Sequence, residues 1–428
     1  MNQPGTARSV EPRRRVAATI PLGLDVLILT IFVLVYGGMI LGEIPGLAVD
    51  RSGIALLGAI AVLASGRLTL QQAWTAIDVN TLALLFGLMV VSAQFRLGGF
   101  YSEAVRRITA KNTAPDTLLF WVVAAAGALS SLLANDIVCL VMAPLLIQAC
   151  GRRALNPVPF LLGLACASNV GSAATLIGNP QNMLIGESLR LSFGSYLLDG
   201  APAAAIGLLI TWAIIRSQWR GRWTTDRALQ IDTAAARPFD RWQTLKGALL
   251  LAATVGAFLF TSSPRAVIAL AAAGVLLLSR RLASREMIGL VDFHLLVLFV
   301  GLFVVNHAVE RAGLLEMMVG ELASARIDLS QPPWLFAVTP VLSNLVSNVP
   351  AVMLLLPVAA GSHAGALLAL TSTLAGNLLI VGSIANIIVI EEAGRRGVRI
   401  DWRAHARTGI PVTLATLAIA GVWLWLRA

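Results

Sequence analysis

The chain has 428 residues, 57% of them hydrophobic and 13% charged, about half the charged share of an ordinary soluble domain. That much apolar surface has no place in a water-soluble core and finds its solvent in a bilayer. The net charge of +10 sits between apolar runs, as in RSQWRGRW (216–223) and EEAGRRGVR (391–399), which is the pattern of cytoplasmic loops and not of a nucleic-acid surface.

A basic tail (1–21) with Arg13, Arg14 and Arg15 comes first. The apolar run 22–41 is too long for a signal core and lacks a cleavage site, so it reads as a retained span. Further spans are expected over 52–67, 80–95, 157–185, 194–215, 244–260, 266–278, 294–309, 364–390 and 408–426. Two stretches, 117–148 and 333–361, are longer and carry polar residues near their centres. That suits two helices with a polar tip, a re-entrant hairpin. Ahead of each lies a segment, 99–115 and 310–327, expected as an interfacial amphipathic helix. The second has Leu314, Leu315, Met318 and Leu322 at helical spacing. The Arg-rich stretch 217–243, with Trp219 and Trp223 near its start, reads as a cytoplasmic linker.

The chain repeats itself at a shift of about 213 residues. LLFGLMVV (84–91) matches LFVGLFVV (298–305), and SSLLANDIVCLVMAPLL (130–146) matches SNLVSNVPAVMLLLPVA (343–359). TLIGNPQNMLI (175–185) matches LIVGSIANIIV (379–389) after a gap. Three matches in order argue for duplication. Five spans per half turn the second copy upside down. The predicted fold is therefore an all-α polytopic membrane protein of two inverted repeats, 22–216 and 244–428. Each holds five spans, one re-entrant hairpin and one discontinuous helix, a recurrent plan of secondary transporters. With the linker in the cytoplasm, most Lys and Arg lie inside. The first hairpin then opens inward and the second outward.

ASNVGSAATLIGNPQN (167–182) places Gly171, Gly178 and Pro180 where a helix should cross hydrocarbon. Unwound backbone there must line a cavity or be buried in protein. Its carbonyls are hard oxygen ligands for Na⁺, and its N–H groups and the next helix N-terminus suit an anion. AGNLLIVGSIAN (375–386) is the equivalent break. The hairpin tips add Ser131, Asn135 and Asp136 in the first copy, and Ser343, Asn344, Ser347 and Asn348 in the second. Asn carries both an acceptor and donors, so it can bridge a cation and an anionic ligand. Asp136 is an acid at bilayer depth, a functional hypothesis by default; its repeat partner is Val349.

At these residues the sequence resembles the ion transporter superfamily: divalent-anion/sodium symporters, citrate transporters, arsenite permeases and a sodium/proton antiporter branch. The symporters carry Ser-Asn-Thr at each tip and a proline nine residues after the Asn, a spacing kept by Asn135 with Pro144 and Asn348 with Pro357. Ser347 is kept; Ala134, Asp136 and Val349 depart from the signature. AND (134–136) looks more like the arsenite-permease and antiporter branches, and GNPQN (178–182) like a bacterial anion-permease branch. The resemblance implies one cation site served by Asn135 and Gly178 and another by Ser347, Asn348 and Gly382; Ser131, Asp136 and Ser343, read from the tips themselves, are expected to join them. Asn179, Asn182, Thr175, Ser383 and Asn386 on the unwound strips are further substrate candidates, and the resemblance implies that Asn135 and Asn348 also face the substrate. It also implies a homodimer.

The expected function is secondary active transport of a small inorganic oxyanion or carboxylate across the cell (inner) membrane, coupled to H⁺ or Na⁺. Arsenite efflux and Na⁺/H⁺ antiport are the rivals. No cofactor is expected beyond Na⁺ as coupling ion. There is no HExxH, GxSxG or Walker sequence. Cys139, Cys150 and Cys166 have no zinc spacing, and His294 and His307 have no nucleophile beside them, so an intramembrane enzyme is not expected.

Overall fold

The computed structural model describes residues 22–42, 46–110, 113–225, 237–361 and 363–427. The basic tail and the middle of the linker lie outside the described residues. The first half contains α1 (Leu22–Leu41), α2 (Arg51–Ala64), α3 (Leu70–Ala76), α4 (Val79–Leu97), α5 (Phe100–Ala110), α6 (Pro115–Leu132), α7 (Asn135–Arg152), α8 (Val158–Ser172), α9 (Pro180–Ser188) and α10 (Phe193–Trp219). The second contains α11 (Arg241–Phe260), α12 (Arg265–Leu277), α13 (Ser284–Ile288), α14 (Phe293–Arg311), α15 (Leu314–Ser324), α16 (Pro332–Val346), α17 (Asn348–Leu355), α18 (Ala364–Ala375), α19 (Ile384–Arg395) and α20 (Trp402–Arg427). Among the described residues, seven helices are long and apolar enough to cross a bilayer: α4, α6, α7, α10, α11, α14 and α20.

Helix starts follow from local chemistry. Asp50, Asp78, Asp240 and Asp292 each turn a carboxylate onto the free N–H groups of the helix that follows. A capping box between Thr69 and Gln72 starts α3. This short helix and α13 were not anticipated from apolar run length, since both are too short to register as spans. The two amphipathic segments form as expected, as α5 and α15. In α5, Glu103 takes hydrogen bonds from Arg106 and Arg107, which hold its carboxyl down at about 2.

Close approach of helices depends on small residues. A Cβ at Gly87 of α4 would lie 2.6 Å from the Ala269 carbonyl carbon on α12; at Gly301 of α14 it would lie 2.5 Å from that of Ala55 on α2. The two seams are built alike, α4 on α12 and α14 on α2. Every residue of α18 is buried, as is α8 from Pro159 onward, so these two form the centre. Around them α1, α10, α11, α12 and α20 turn Leu34, Leu209, Leu249, Val267 and Leu414 outward, as a lipid-facing rim requires.

Both hairpins form. Arg153 reaches from the end of α7 to the Thr113 carbonyl before α6, at 2.6 Å, which ties the mouth of the first. Its helices break at Leu133 and Ala134. The second turns at Ser347, which adopts φ +76°, a conformation non-glycine residues rarely take.

Candidate functional site

The chain is unwound between α8 and α9 (173–179) and between α18 and α19 (376–383), where a short 3₁₀ turn spans Ile380–Gly382. Such backbone needs new partners, and the polar side chains supply them. Asn179 caps α9 by accepting from Asn182 N at 2.9 Å, and Asn182 Nδ2 donates to the Thr175 carbonyl at 3.1 Å. In the second strip Asn386, the repeat partner of Asn182, donates to the carbonyls of Gly376 at 2.7 Å and Leu379 at 3.2 Å.

The strips are braced to each other across the repeat. Thr373 on α18 donates to Asn182 Oδ1 at 3.0 Å and accepts from Asn179 at 3.2 Å. Asn169, in the same place on α8, donates to Asn377 at 2.8 Å and Asn386 at 3.1 Å, and accepts from Ser383 at 2.8 Å. Asn169, Thr373 and Asn377 were missed as site residues. Asn169 and Thr373 face each other in the repeat alignment, and that was the available signal.

The hairpin tips lie against these strips. The Ser131 carbonyl accepts from Thr175 Oγ1, and the Asn135 carbonyl from Ser168 Oγ at 3.3 Å. A Cβ at Gly178 would sit 2.3 Å from the Ser172 oxygen, so only glycine fits where strip and hairpin meet. At the second tip Asn344 Nδ2 donates to the Ala375 carbonyl at 2.9 Å and its Oδ1 accepts from Leu379 N at 3.2 Å. Asn348, with its amide nitrogen turned to the carbonyls, donates to Gly382 O at 3.0 Å and Ser372 O at 3.3 Å. Its Oδ1 then accepts from Gln181 of the first strip at 3.1 Å. Ser343 lies against the same amide.

The two tips therefore differ. Asn348 is fully engaged by protein. Asn135 is equally buried, yet its Oδ1 has no partner among the described residues. It borders a cavity of about 210 Å³ that also takes in Asp136, Asn179, Arg96 and Asp292, with Leu85, Leu88, Met89 and Met183 as apolar walls. Asp136, Asn135 and Asn179 were anticipated there; Arg96 and Asp292 were not, because both lie at helix ends that read as loop charges. Ser131 faces away, donating to the Ala128 carbonyl and lining an apolar pocket with Gly127 and Gly171. Thr175, Asn182, Ser383 and Asn386 serve the bracing just described. Ser347 supplies the turn, and Gly382 gives its carbonyl to Asn348. No group of three or more His, Cys, Asp or Glu able to hold a metal occurs among the described residues.

A family model described as "Citrate transporter" matches residues 33–375. The chain belongs to the citrate transporter family. It is 28% identical to the "46 kDa membrane protein" of Mycobacterium leprae, over 94% of this chain and 99% of that one. It is also 28% identical to the "Silicon efflux transporter LSI3" of Oryza sativa subsp. japonica, over 88% and 93%. Among solved structures, the YdaH transporter of Alcanivorax borkumensis superimposes with a TM-score of 0.55 at 15% identity, over 94% of this chain and 98% of that one, a likeness of fold alone. This member of the family is a multi-pass membrane transporter, not an enzyme.

Proposed function

We propose that this citrate-transporter-family member is a secondary active transporter of a small oxyanion or short carboxylate, coupled to H⁺ or Na⁺. The observation that carries the reading is the cavity at the first hairpin tip, where the Asn135 Oδ1, without a partner among the described residues, meets Asp136, Asn179 and Arg96. At about 210 Å³ it is smaller than the usual drug-sized pocket of roughly 300–1,000 Å³, which favours a small cargo. Arg96, Asn135 Nδ2 and the N-terminus of α7 offer an anion its donors.

The charges argue for coupling. One guanidinium faces two carboxylates, Asp136 and Asp292. With both ionised the cavity repels an anion; a proton or Na⁺ on the acids removes the repulsion. Charges that share a small, poorly hydrated cavity interact more strongly than they would in water, so cargo and coupling ion bind best together. Alternating access of two inverted repeats is supported by three features: the recurring helix order, the reciprocal seams at Gly87 and Gly301, and hairpins anchored differently. The first mouth lies beside the linker, where Asp116 pairs with Arg216 at 3.2 Å. The start of α18, after the second hairpin, packs instead on Leu189 and Leu191 at the far end of α9. A second reading, an undissociated oxyacid as cargo, is favoured by the surplus of acceptors in the cavity and by the relative named a silicon efflux transporter.

The test is uptake into proteoliposomes of labelled phosphate, sulfate, citrate, succinate, arsenite and silicate, with and without Na⁺ and a pH gradient. One cargo should accumulate only when an ion gradient is present. Equal flux with every gradient clamped to zero would point to a passive pore and end the proposal.

A further inference from the structure

The two copies are fastened differently at their ends. Arg265 opens α12 in RAVIAL, and Arg51 opens α2 in the matching RSGIAL. Glu187 closes NPQNMLIGE and Glu391 closes the matching SIANIIVIE, with Asn182 and Asn386 in register. One of these equivalent pairs is made. Arg265 Nε lies 2.7 Å from the Glu187 carboxylate, both side chains nearly buried, and Arg265 Nη2 donates to the Gly186 carbonyl at 2.6 Å. This fastens the end of α9 to the start of α12.

The other pair is apart. Arg51 makes no ion pair among the described residues, and its Nε is buried without a partner there. Glu391 is exposed and has no ion pair among them either. Between α2 and α19 lies a cavity of about 400 Å³, lined by Asp50, Arg51, Asp292 and His294 on one side and by Val381, Ile384 and Ile387 on the other. Ile384, Ile387 and Glu391 stand at i, i+3 and i+7, one face of α19. Closing that cavity brings the Glu391 end of the face toward Arg51. The two places belong to opposite ends of the molecule: Arg51 shares its cavity with Asp292, Asp292 shares another with Arg96 near the end of α4, and the Gly98 carbonyl just beyond accepts from Asp240 N at the start of α11. Lys246 on α11 donates to the Val275 carbonyl at the end of α12, and Arg281 pairs with Asp240 at the start of α11. Arg265 is at the other end of α12, roughly 20 Å away by helix rise.

We infer that Arg51 and Glu391 pair in the conformation opposite to this one, in which Arg265 and Glu187 have parted. The pairs are reciprocal latches, each holding a broken helix against the α2 or α12 side at one face of the membrane. Exchanging one ion pair for its twin keeps the two conformations close in free energy, as a cycling carrier requires. The inference rests on the transporter reading above. All four are positioning residues; none touches the 210 Å³ cavity.

The test is disulfide capture, which needs no cargo. Two double variants, Arg51→Cys with Glu391→Cys and Arg265→Cys with Glu187→Cys, are made with Cys139, Cys150 and Cys166 replaced by Ala, reconstituted, and oxidised with copper phenanthroline. Both pairs should cross-link, each capture arresting transport until dithiothreitol is added. Adding Glu187→Gln to the 51/391 pair should raise its cross-linking rate about five-fold or more, the size of an ordinary conformational coupling. In the native-cysteine protein the swap Arg51→Glu with Glu391→Arg should restore transport lost in either single change. Failure of the 51/391 pair to cross-link in vesicles that still transport would overturn the inference, as would a rate indifferent to Glu187→Gln. If both pairs cross-link but no cargo or ion gradient is ever moved, the latch stands and the transport reading fails.

Discussion

Asn135 and Asn348 occupy matching positions in the sequence, and truncating each to alanine tests the proposal that the first is a ligand and the second a strut. Asn348→Ala removes the donor to Gly382 O and the acceptor for Gln181 Nε2. Ser372 O keeps the Ser343 hydroxyl at 3.2 Å, and Gln181 keeps Thr373 Oγ1 at 3.3 Å. The uncompensated losses are thus the Gly382 carbonyl and one N–H of Gln181. Each of these two buried groups left unmet costs about 1–3 kcal/mol, so the variant should lose about 2–6 kcal/mol. Asn135 leaves no protein group stranded when its Oδ1 goes. Its side chain borders a space already open, so Asn135→Ala should lose less than about 1 kcal/mol. The assay is thermal unfolding in detergent followed by tryptophan fluorescence, without cargo, paired with uptake in proteoliposomes. Asn348→Ala should melt several degrees lower. Asn135→Ala should melt with the parent and yet fail to transport. An Asn135→Ala protein that melts as low as Asn348→Ala, or transports normally, would refute the assignment of Asn135 to the cargo.

Gly171→Ala puts a Cβ 2.2 Å from the Gly127 oxygen, against backbone that cannot swing aside. α6 and α8 must separate, and the melting temperature should fall by an amount reflecting about 1–3 kcal/mol; Gly256→Ala, with nothing within 4 Å, should melt unchanged or higher. Asp136→Asn should flatten the pH and Na⁺ dependence of uptake measured between pH 5 and 8, and an unaltered profile would remove Asp136 from coupling. Glu103 serves as the control. Its lowered pKa means the clasp on Arg106 and Arg107 is present above the ordinary carboxylate range and is lost only as pH falls toward about 2. Glu103→Gln should therefore leave the transport pH profile between 5 and 8 where it was, and a shifted midpoint would show that α5 takes part in titration.

Much of this architecture was readable because a bilayer restricts the backbone to few solutions. Apolar run length located the long helices, and Gly178, Pro180 and Gly382 marked breaks that hydrocarbon would not tolerate unpaired. Asn135 and Asn348 stood out through their shared spacing to Pro144 and Pro357. What sequence could not supply was which polar residue serves the protein and which is left over. Asn182 and Asn386 look like ligands in one dimension; in three they hold the strips' own carbonyls. Arg96 and Asp292 look like solvated helix ends, and only the folding of the hairpin tip against α4 and α14 brings them beside Asp136.

On the function proposed above, the residues assigned to the cargo are those where the two matching halves of the sequence have stopped being equal. Asp78 and Asp292 cap equivalent helices, but Asp78 spends both oxygens on local partners: Oδ1 accepts from the N–H groups of Asn80 and Thr81, and Oδ2 from Thr81 Oγ1 at 2.7 Å. At the matching place Leu295 replaces Thr81 and gives only its N–H, at 3.0 Å to Oδ1. One oxygen of Asp292 is thereby left to the cavity, opposite Asp136, whose own repeat partner is Val349. Losing a hydroxyl in one copy and gaining a carboxylate in the other concentrates charge at the first hairpin tip. The bracing that both strips need, through Asn169 and Thr373, stays matched. Two nearly equal halves give a carrier two conformations of similar free energy. In the proposed reading, unequal side chains at one tip give it a single place to bind.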